Sequence, residues 1–262
     1  DQGEALGMLE SGLAIRRGLG GPENLAASLS TLSTTRLEMG DTTRARADEL
    51  EAIDIFRQLG QHLNEGIALR NLGQIALYEG DATQAREHLT AGLALARQVS
   101  SPEEEGECEP VLGEVELEMG ATAEAIEHFA RSLEVCREGA DKRGEANALW
   151  RLGAVDLHNG DYAAARQRLG EALQSFHRAE MWKELIGCLE EFARLAEWAS
   201  MPEVGVRIAA VATVTRQRLG LIRRPATQMR WQARVEALRK PLGDERFVAA
   251  WNEAWDQWET EE

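Results

Sequence analysis

The sequence predicts an all-α fold: an array of antiparallel helix pairs, wound as a right-handed superhelix and closed by a C-terminal helical cap. Three observations carry that expectation. The doublet Gly40-Asp41 returns as Gly80-Asp81 and Gly160-Asp161, with Gly120-Ala121 on the missing beat, so the signal recurs every 40 positions. Apolar and small residues fall into columns on the same period. Gly and Pro, at 24 and 6 in 262 residues, are too few for a disordered chain. Periods of about 20–50 residues mark stacked units, none of which buries its apolar face alone.

Taken in order, residues 1–20 read as a half-unit helix, with Glu4 to Arg17 already helical in pattern. Residues 21–220 divide into five units of 40, and residues 221–262 into capping helices. Within the units, Leu32, Leu72, Leu112, Leu152 and Phe192 form a large apolar column. The next column, Ser33, Gly73, Gly113, Gly153 and Ala193, is small. Two later columns are also small: Ala45, Ala85, Ala125, Ala165, Gly205, then Ala52, Gly92, Ser132, Ala172, Ala212. Small residues at these places let two antiparallel helices approach closely. A mid-helix Gly costs about 1 kcal/mol relative to Ala, so its return at 73, 113 and 153 implies a packing reason. Leu37, Leu77, Leu117, Leu157 and Ile53, Leu93, Leu133, Leu173 complete the core columns. Gly40, Gly80, Gly120 and Gly160 suit the left-handed residue that stops a first helix, and Asp41, Asp81 and Asp161 suit the N-cap of the second. The fifth unit has Ser200-Met201 instead, which puts its turn in doubt.

The third unit departs from the others. Ser101-Pro102 suits a helix start, but Pro110 falls where the other units are mid-helix, after Glu103, Glu104, Glu105, Glu107 and Glu109. A mid-helix Pro deletes a backbone hydrogen bond, at about 3 kcal/mol. Two readings stand: a late start near Pro110 after a solvated Glu-rich turn, or an acidic lip or hinge. In the tail, Trp251, Trp255 and Trp258 share one helical face. That face reads as a terminal cap over the fifth unit, or as a docking surface for a further domain.

Net charge is −16, from 29 Lys and Arg against 45 Asp and Glu. Residues 201–262 hold 10 basic and 9 acidic groups, so the acidity lies in the array. Such an array repels phosphate backbones, which argues against direct nucleic-acid binding. The basic tail, with Arg223, Arg224, Arg230, Arg234, Arg239 and Lys240, reads as an intramolecular partner for it. Cys108, Cys136 and Cys188 are odd in number and without CxxC spacing, which fits buried thiols in a reducing, cytoplasmic compartment. No run reaches the roughly 18 apolar residues of a membrane span. There is no GxxxxGK[ST], GxSxG or HExxH motif. His88 and His128, each after a Glu, read as repeat echo rather than metal ligands. No enzyme, cofactor or metal site is expected.

The large-small pair followed by two Ala-rich columns resembles the tetratricopeptide repeat, whose units usually have about 34 residues. The resemblance covers residue 22 to about 219. The tail, from Val206 to Gly220 and from Leu242 to Trp255, resembles the end of the repeat region in bacterial LuxR-type regulators similar to MalT and in STAND-class signalling ATPases. That resemblance implies a sensing module of a larger bacterial regulator, in intramolecular contact with an upstream nucleotide-binding module. It implies a peptide, protein segment or small metabolite bound in a concave groove lined by the first helix of each unit. On the matching columns, Arg70, Asn71, Gln74 and Tyr78 form one polar strip, and Asn147, Trp150, Arg151 and His158 another, joined by Arg194. An Arg fork suits carboxylate or phosphate, and a Trp offers a stacking surface. The competing reading makes these ordinary lining residues, with Trp150 packed between helices. A chaperone-type carboxylate clamp is rejected, because the third unit offers Glu107, Pro110 and Glu114. The alternative function is a scaffold that self-associates, on account of the Trp-rich helix and the charge asymmetry.

Overall fold

The computed structural model describes residues 2–223 and 225–260, and among them every regular element is a helix. The helices are α1 (Gln2–Leu19), α2 (Pro22–Glu38), α3 (Thr42–Gln58), α4 (His62–Glu79), α5 (Ala82–Gln98), α6 (Pro102–Glu118) and α7 (Thr122–Glu138). They continue as α8 (Lys142–Asn159), α9 (Tyr162–Arg178), α10 (Trp182–Trp198), α11 (Pro202–Arg218), α12 (Pro225–Leu242) and α13 (Asp244–Thr260). The closest packing is within the pairs α2/α3, α4/α5, α6/α7, α8/α9 and α10/α11. Contacts group the chain into two compact units, residues 1–140 and 141–262.

The helices are so even in length because the chain carries a stop signal at a fixed interval. Positive φ occurs at Gly20, Gly40, Gly60, Gly80, Ser100, Gly120, Ala140, Gly160, Glu180, Ser200 and Gly220. After Gly40, Gly60, Gly80, Ser100, Gly120, Gly160, Glu180, Ser200 and Gly220 the next amide reaches back towards the end of the finished helix, as Asp41 N–H does to Arg36 O at 2.9 Å. The doubtful Ser200-Met201 turn closes in the same way. Ser200 adopts φ 58°, and Met201 N–H donates to Ala196 O at 2.9 Å. Asp41, Asp81 and Asp161 cap α3, α5 and α9, each carboxylate accepting a backbone N–H at 3.2, 2.9 and 3.1 Å.

The small column owes its Gly to a knob from the partner helix. A Cβ on Gly73 would run into Leu89, on Gly113 into Phe129, and on Gly153 into Leu169. Each knob stands at the same place on the second helix of its pair and is fully buried. In the fifth pair Ala193 faces the same place as Ala209, both fully buried. The first pair puts Ser33 and Glu49 there, and Glu49 is fully buried in a core position. Of the Leu column, Leu77 and Leu157 are buried, while Leu117 is 39% exposed.

Pro110 does not restart a helix: α6 runs unbroken from Pro102 to Glu118, and the Glu-rich piece is its first turns. The missing Pro110 amide would have bonded Gly106 O. Ser132 Oγ on α7 donates to that carbonyl instead, at 3.1 Å and fully buried. Ser132 occupies a column otherwise held by Ala or Gly, so the pair containing the Pro also contains the hydroxyl that compensates for it. The acids there are internally engaged. Glu104 pairs with Arg70, Glu105 with Arg97 and Arg131, and Glu109 with Arg97 and His128.

In residues 141–262, α13 packs mainly on α11 and less on α12. Ala193, Val206, Ala209, Trp231, Leu238, Leu242, Phe247 and Ala250 form one core there. Trp251 stacks on Phe247 at 5.6 Å between centroids. The tail's cations reach α10 and α11: Arg223 pairs with Glu190, Arg234 with Glu191, and Arg246 with Glu203. Arg224 and the Trp258 side chain lie outside the described residues.

Candidate functional site

The columns assigned to a groove lie on the first helices, and the structure treats their two strips differently. On α4, Arg70 turns into the protein. Its Nε donates to Glu104 Oε1 at 2.7 Å and its Nη2 to Oε2 at 3.4 Å, which ties α4 to α6. Burial alone would lower this guanidinium's pKa, but the adjacent Glu104 carboxylate outweighs it and the net shift is upward. Asn71 Nδ2 donates to Glu49 Oε1 at 2.8 Å, and Ser30 Oγ donates to Glu49 Oε2 at 2.7 Å. Glu49 is thus held by neutral donors. Burial pushes its carboxyl up to about 7, against the hydrogen bonds from Ser30 and Asn71 that pull it down and with the Asp48 charge adding to the rise. Tyr78 reaches over the α2–α3 turn of the preceding unit, where a Cβ on Gly40 would lie 3.3 Å from its hydroxyl. Gln74 remains half-exposed on this face.

The second strip is more open. On α8, Asn147 and Arg151 are half-buried and His158 is exposed. Trp150 wedges its ring against Gly187 of α10, where no Cβ would fit, and meets Phe176 edge-on at 5.9 Å. Its Nε1 is buried without a hydrogen-bond partner. The Arg151 guanidinium covers the ring, 4.1 Å from its centroid. One period later on α10, Arg194 is half-exposed and pairs with Glu191 at 2.7 Å. Trp198 is 54% exposed and stacks on Tyr162 at 3.6 Å. Arg151, His158, Arg194 and Trp198 therefore lie on matching faces of two helices that touch. Trp150 supplies the floor beneath Arg151.

Two patterns escaped the sequence reading. Arg36 on α2 pairs with Asp48 on α3, and three units on the charges are exchanged: Asp156 on α8 accepts from Arg168 on α9 at 2.7 Å. Opposite signs at columns 12 apart were the available signal. Arg57 and Glu65, then Arg97 and Glu105, bridge equivalent turns one 40-residue period apart, at 2.9 and 3.2 Å. These arginines are 60% and 52% exposed, so each bridge contributes at most about 1 kcal/mol.

Cys108, Cys136 and Cys188 are buried and form no disulfide. Burial raises the Cys108 thiol well above its ordinary range, and pushes Cys188 up to about 12. His128 Nδ1 faces Glu109 Oε2 at 2.7 Å, and burial followed by the Arg46 charge lowers the pKa of His88. Among the described residues, no three His, Cys, Asp or Glu side chains are placed to hold a metal ion. No described helix is long and apolar enough to cross a membrane.

Comparison with known proteins points to the same fold. No curated protein matches the chain significantly in sequence. The crystal structure of BtubC (BKLC) from P. vanneervenii is similar with a TM-score of 0.65 and 15% identity, over 85% of this chain and 93% of that one. The apo form of RapI is similar with a TM-score of 0.62 and 12% identity, over 97% and 91%. Kinesin light chain TPR-like repeats from Podosopora anserina give a TM-score of 0.53 and 16% identity, over 69% and 89%. At these identities the likeness is one of fold. The tetratricopeptide repeat family model matches residues 111–176, so this stretch reads as repeat in sequence as well as in shape.

Proposed function

We propose that this chain is a non-enzymatic, cytoplasmic interaction module that binds a peptide or protein segment on the first-helix face of α8 and α10. The observation that carries this reading is the Arg151 guanidinium spread on Trp150, with His158 further along α8 and Arg194 and Trp198 on the corresponding face of α10. Two arginines, an exposed imidazole and an exposed aromatic stack suit an extended segment carrying a carboxylate and an apolar or aromatic side chain. Helical repeat arrays offer such faces for extended partners. The resemblance of the tail supports a parent regulator of the LuxR, MalT-like or STAND ATPase kind, in which the module would contact an upstream nucleotide-binding module. A small metabolite on the same face is the competing occupant. The self-association reading draws less support, because the tail's arginines pair with Glu190, Glu191 and Glu203.

The test is selection of binders from a peptide array, followed by titration against Arg151→Glu combined with Arg194→Glu. The selected peptide should bind the parent chain and lose at least about tenfold in affinity to the double variant, with the thermal midpoint held within a few degrees. Unchanged affinity would remove this face from the account. Trp150→Ala is unsuited to this purpose, because removing the wedge opens a cavity at Gly187 and destabilises the fold itself.

A further inference from the structure

A concave site lies away from the α8/α10 face. It is a cleft of about 520 Å³ between α11, the turn after it, α12 and α13, lined among others by Thr213, Arg216, Arg223, Trp231, Val235 and Trp251. At its base two arginines share one carboxylate oxygen. Arg216 approaches Glu190 Oε1 through Nε at 3.2 Å and Nη2 at 3.0 Å. Arg223 approaches the same oxygen through Nε at 3.2 Å and Nη2 at 2.7 Å, while its Nη1 donates to the neutral Gln228 Oε1 at 3.2 Å. Their side chains are 12% and 8% exposed. Among the described residues, two guanidinium charges thus stand against one carboxylate at a site mostly screened from water. The other acid on the wall, Glu236, is 69% exposed and faces Arg239 at 3.7 Å.

The rest of the lining is mixed: Thr213, Gln217, Gln228 and Gln232 are polar, and an apolar part is made by Leu221, Ile222, Trp231, Val235 and Trp251. Arg223 lies over the Trp231 ring at 4.9 Å. The charge imbalance is physically felt at Arg223: burial lowers its pKa, the neighbouring Arg216 acts in the same direction, and Glu190 only partly opposes them. A single bound negative charge would balance the second guanidinium. Guanidinium forks match the planar carboxylate, and the apolar part favours a ligand with a hydrocarbon or aromatic body. The volume falls within the range of small-molecule sites.

We propose that this cleft binds a small monocarboxylate with an apolar body, its carboxylate at Arg216 and Arg223 and its body along Trp231, Val235 and Trp251. This inference is independent of the peptide face, since it shares no residue with it.

Octanoate and 3-phenylpropionate, with octanamide as the neutral control, are titrated into the full chain by calorimetry. At least one carboxylate is expected to bind saturably, and octanamide to bind at least about tenfold more weakly than octanoate. Glu190→Gln frees both guanidinium groups from their competitor and should tighten carboxylate binding, whereas Thr213→Trp fills the cleft and should abolish it. The two shifts run in opposite directions, which a merely structural role for these residues would not produce. Equal binding of amide and acid, retained binding in Thr213→Trp, or no binding of either carboxylate would each overturn the proposal. Should Glu190→Gln fail to fold, the Thr213→Trp and octanamide comparisons decide the matter alone.

Discussion

At the scale of single residues, two polar groups occupy core positions, and each carries a prediction. Glu49 sits where the other pairs place Leu89, Phe129, Leu169 or Ala209. Because its carboxyl is raised to about 7, the folded chain keeps a proton there after the unfolded chain has released it at ordinary carboxylate pKa. That contribution is therefore fully present below about pH 4.5, and is lost as pH rises to about 7, over roughly 3 kcal/mol. Burial raises Asp48 and Asp156 too, so they act with the same sign. Denaturant titrations across pH 5 to 8 should show a decline in stability that Glu49→Gln flattens. Ser33→Gly with Glu49→Leu restores the knob and hole of the other pairs, and should stabilise by about 1–3 kcal/mol at pH 8. The second group is the Ser132 hydroxyl. Ser132→Ala leaves Gly106 O buried and unbonded, at about 1–3 kcal/mol. In a Pro110→Ala background the helix amide returns and the same change should cost less than half as much, which a double-mutant cycle measures.

At the scale of elements, the unit that repeats is a helix of near-constant length and its left-handed stop. Four stops use residues that pay a steric penalty for φ near +55°: Ser100, Ala140, Glu180 and Ser200. Replacing any of them by Gly should stabilise the chain by up to about 1 kcal/mol, read as a higher thermal midpoint, with the effects additive. The same substitution at Leu133, in mid-helix, should destabilise. The helix pairs were legible in the sequence because Gly-Asp turns and small columns are local signals that recur in phase. The turn at Ser200-Met201 and the unbroken α6 were not. In the first, tertiary packing imposes a conformation that Ser only tolerates. In the second, the compensation for Pro110 comes from Ser132 on the following helix, which no local pattern connects to it.

At the scale of the whole molecule, the candidate face was legible only in part. The sequence placed Arg70, Asn71 and Tyr78 on a first-helix strip, but Arg70 and Asn71 are drawn inward by Glu104 and Glu49, and Tyr78 covers the Gly40 turn. Those partners belong to other helices and turns, so only the folded packing reveals them. On α8 the same columns set Arg151 over the Trp150 ring and leave His158 exposed. Column membership predicts where a side chain starts; the group it meets decides where it ends. The proposed partner site is the first-helix face of residues 141–262. Hydrogen–deuterium exchange with a selected peptide tests it most directly. Added protection is expected in α8 and α10, centred near Arg151 and Arg194, with little change in α9. Protection concentrated in α9, or spread evenly over all helices, would contradict it.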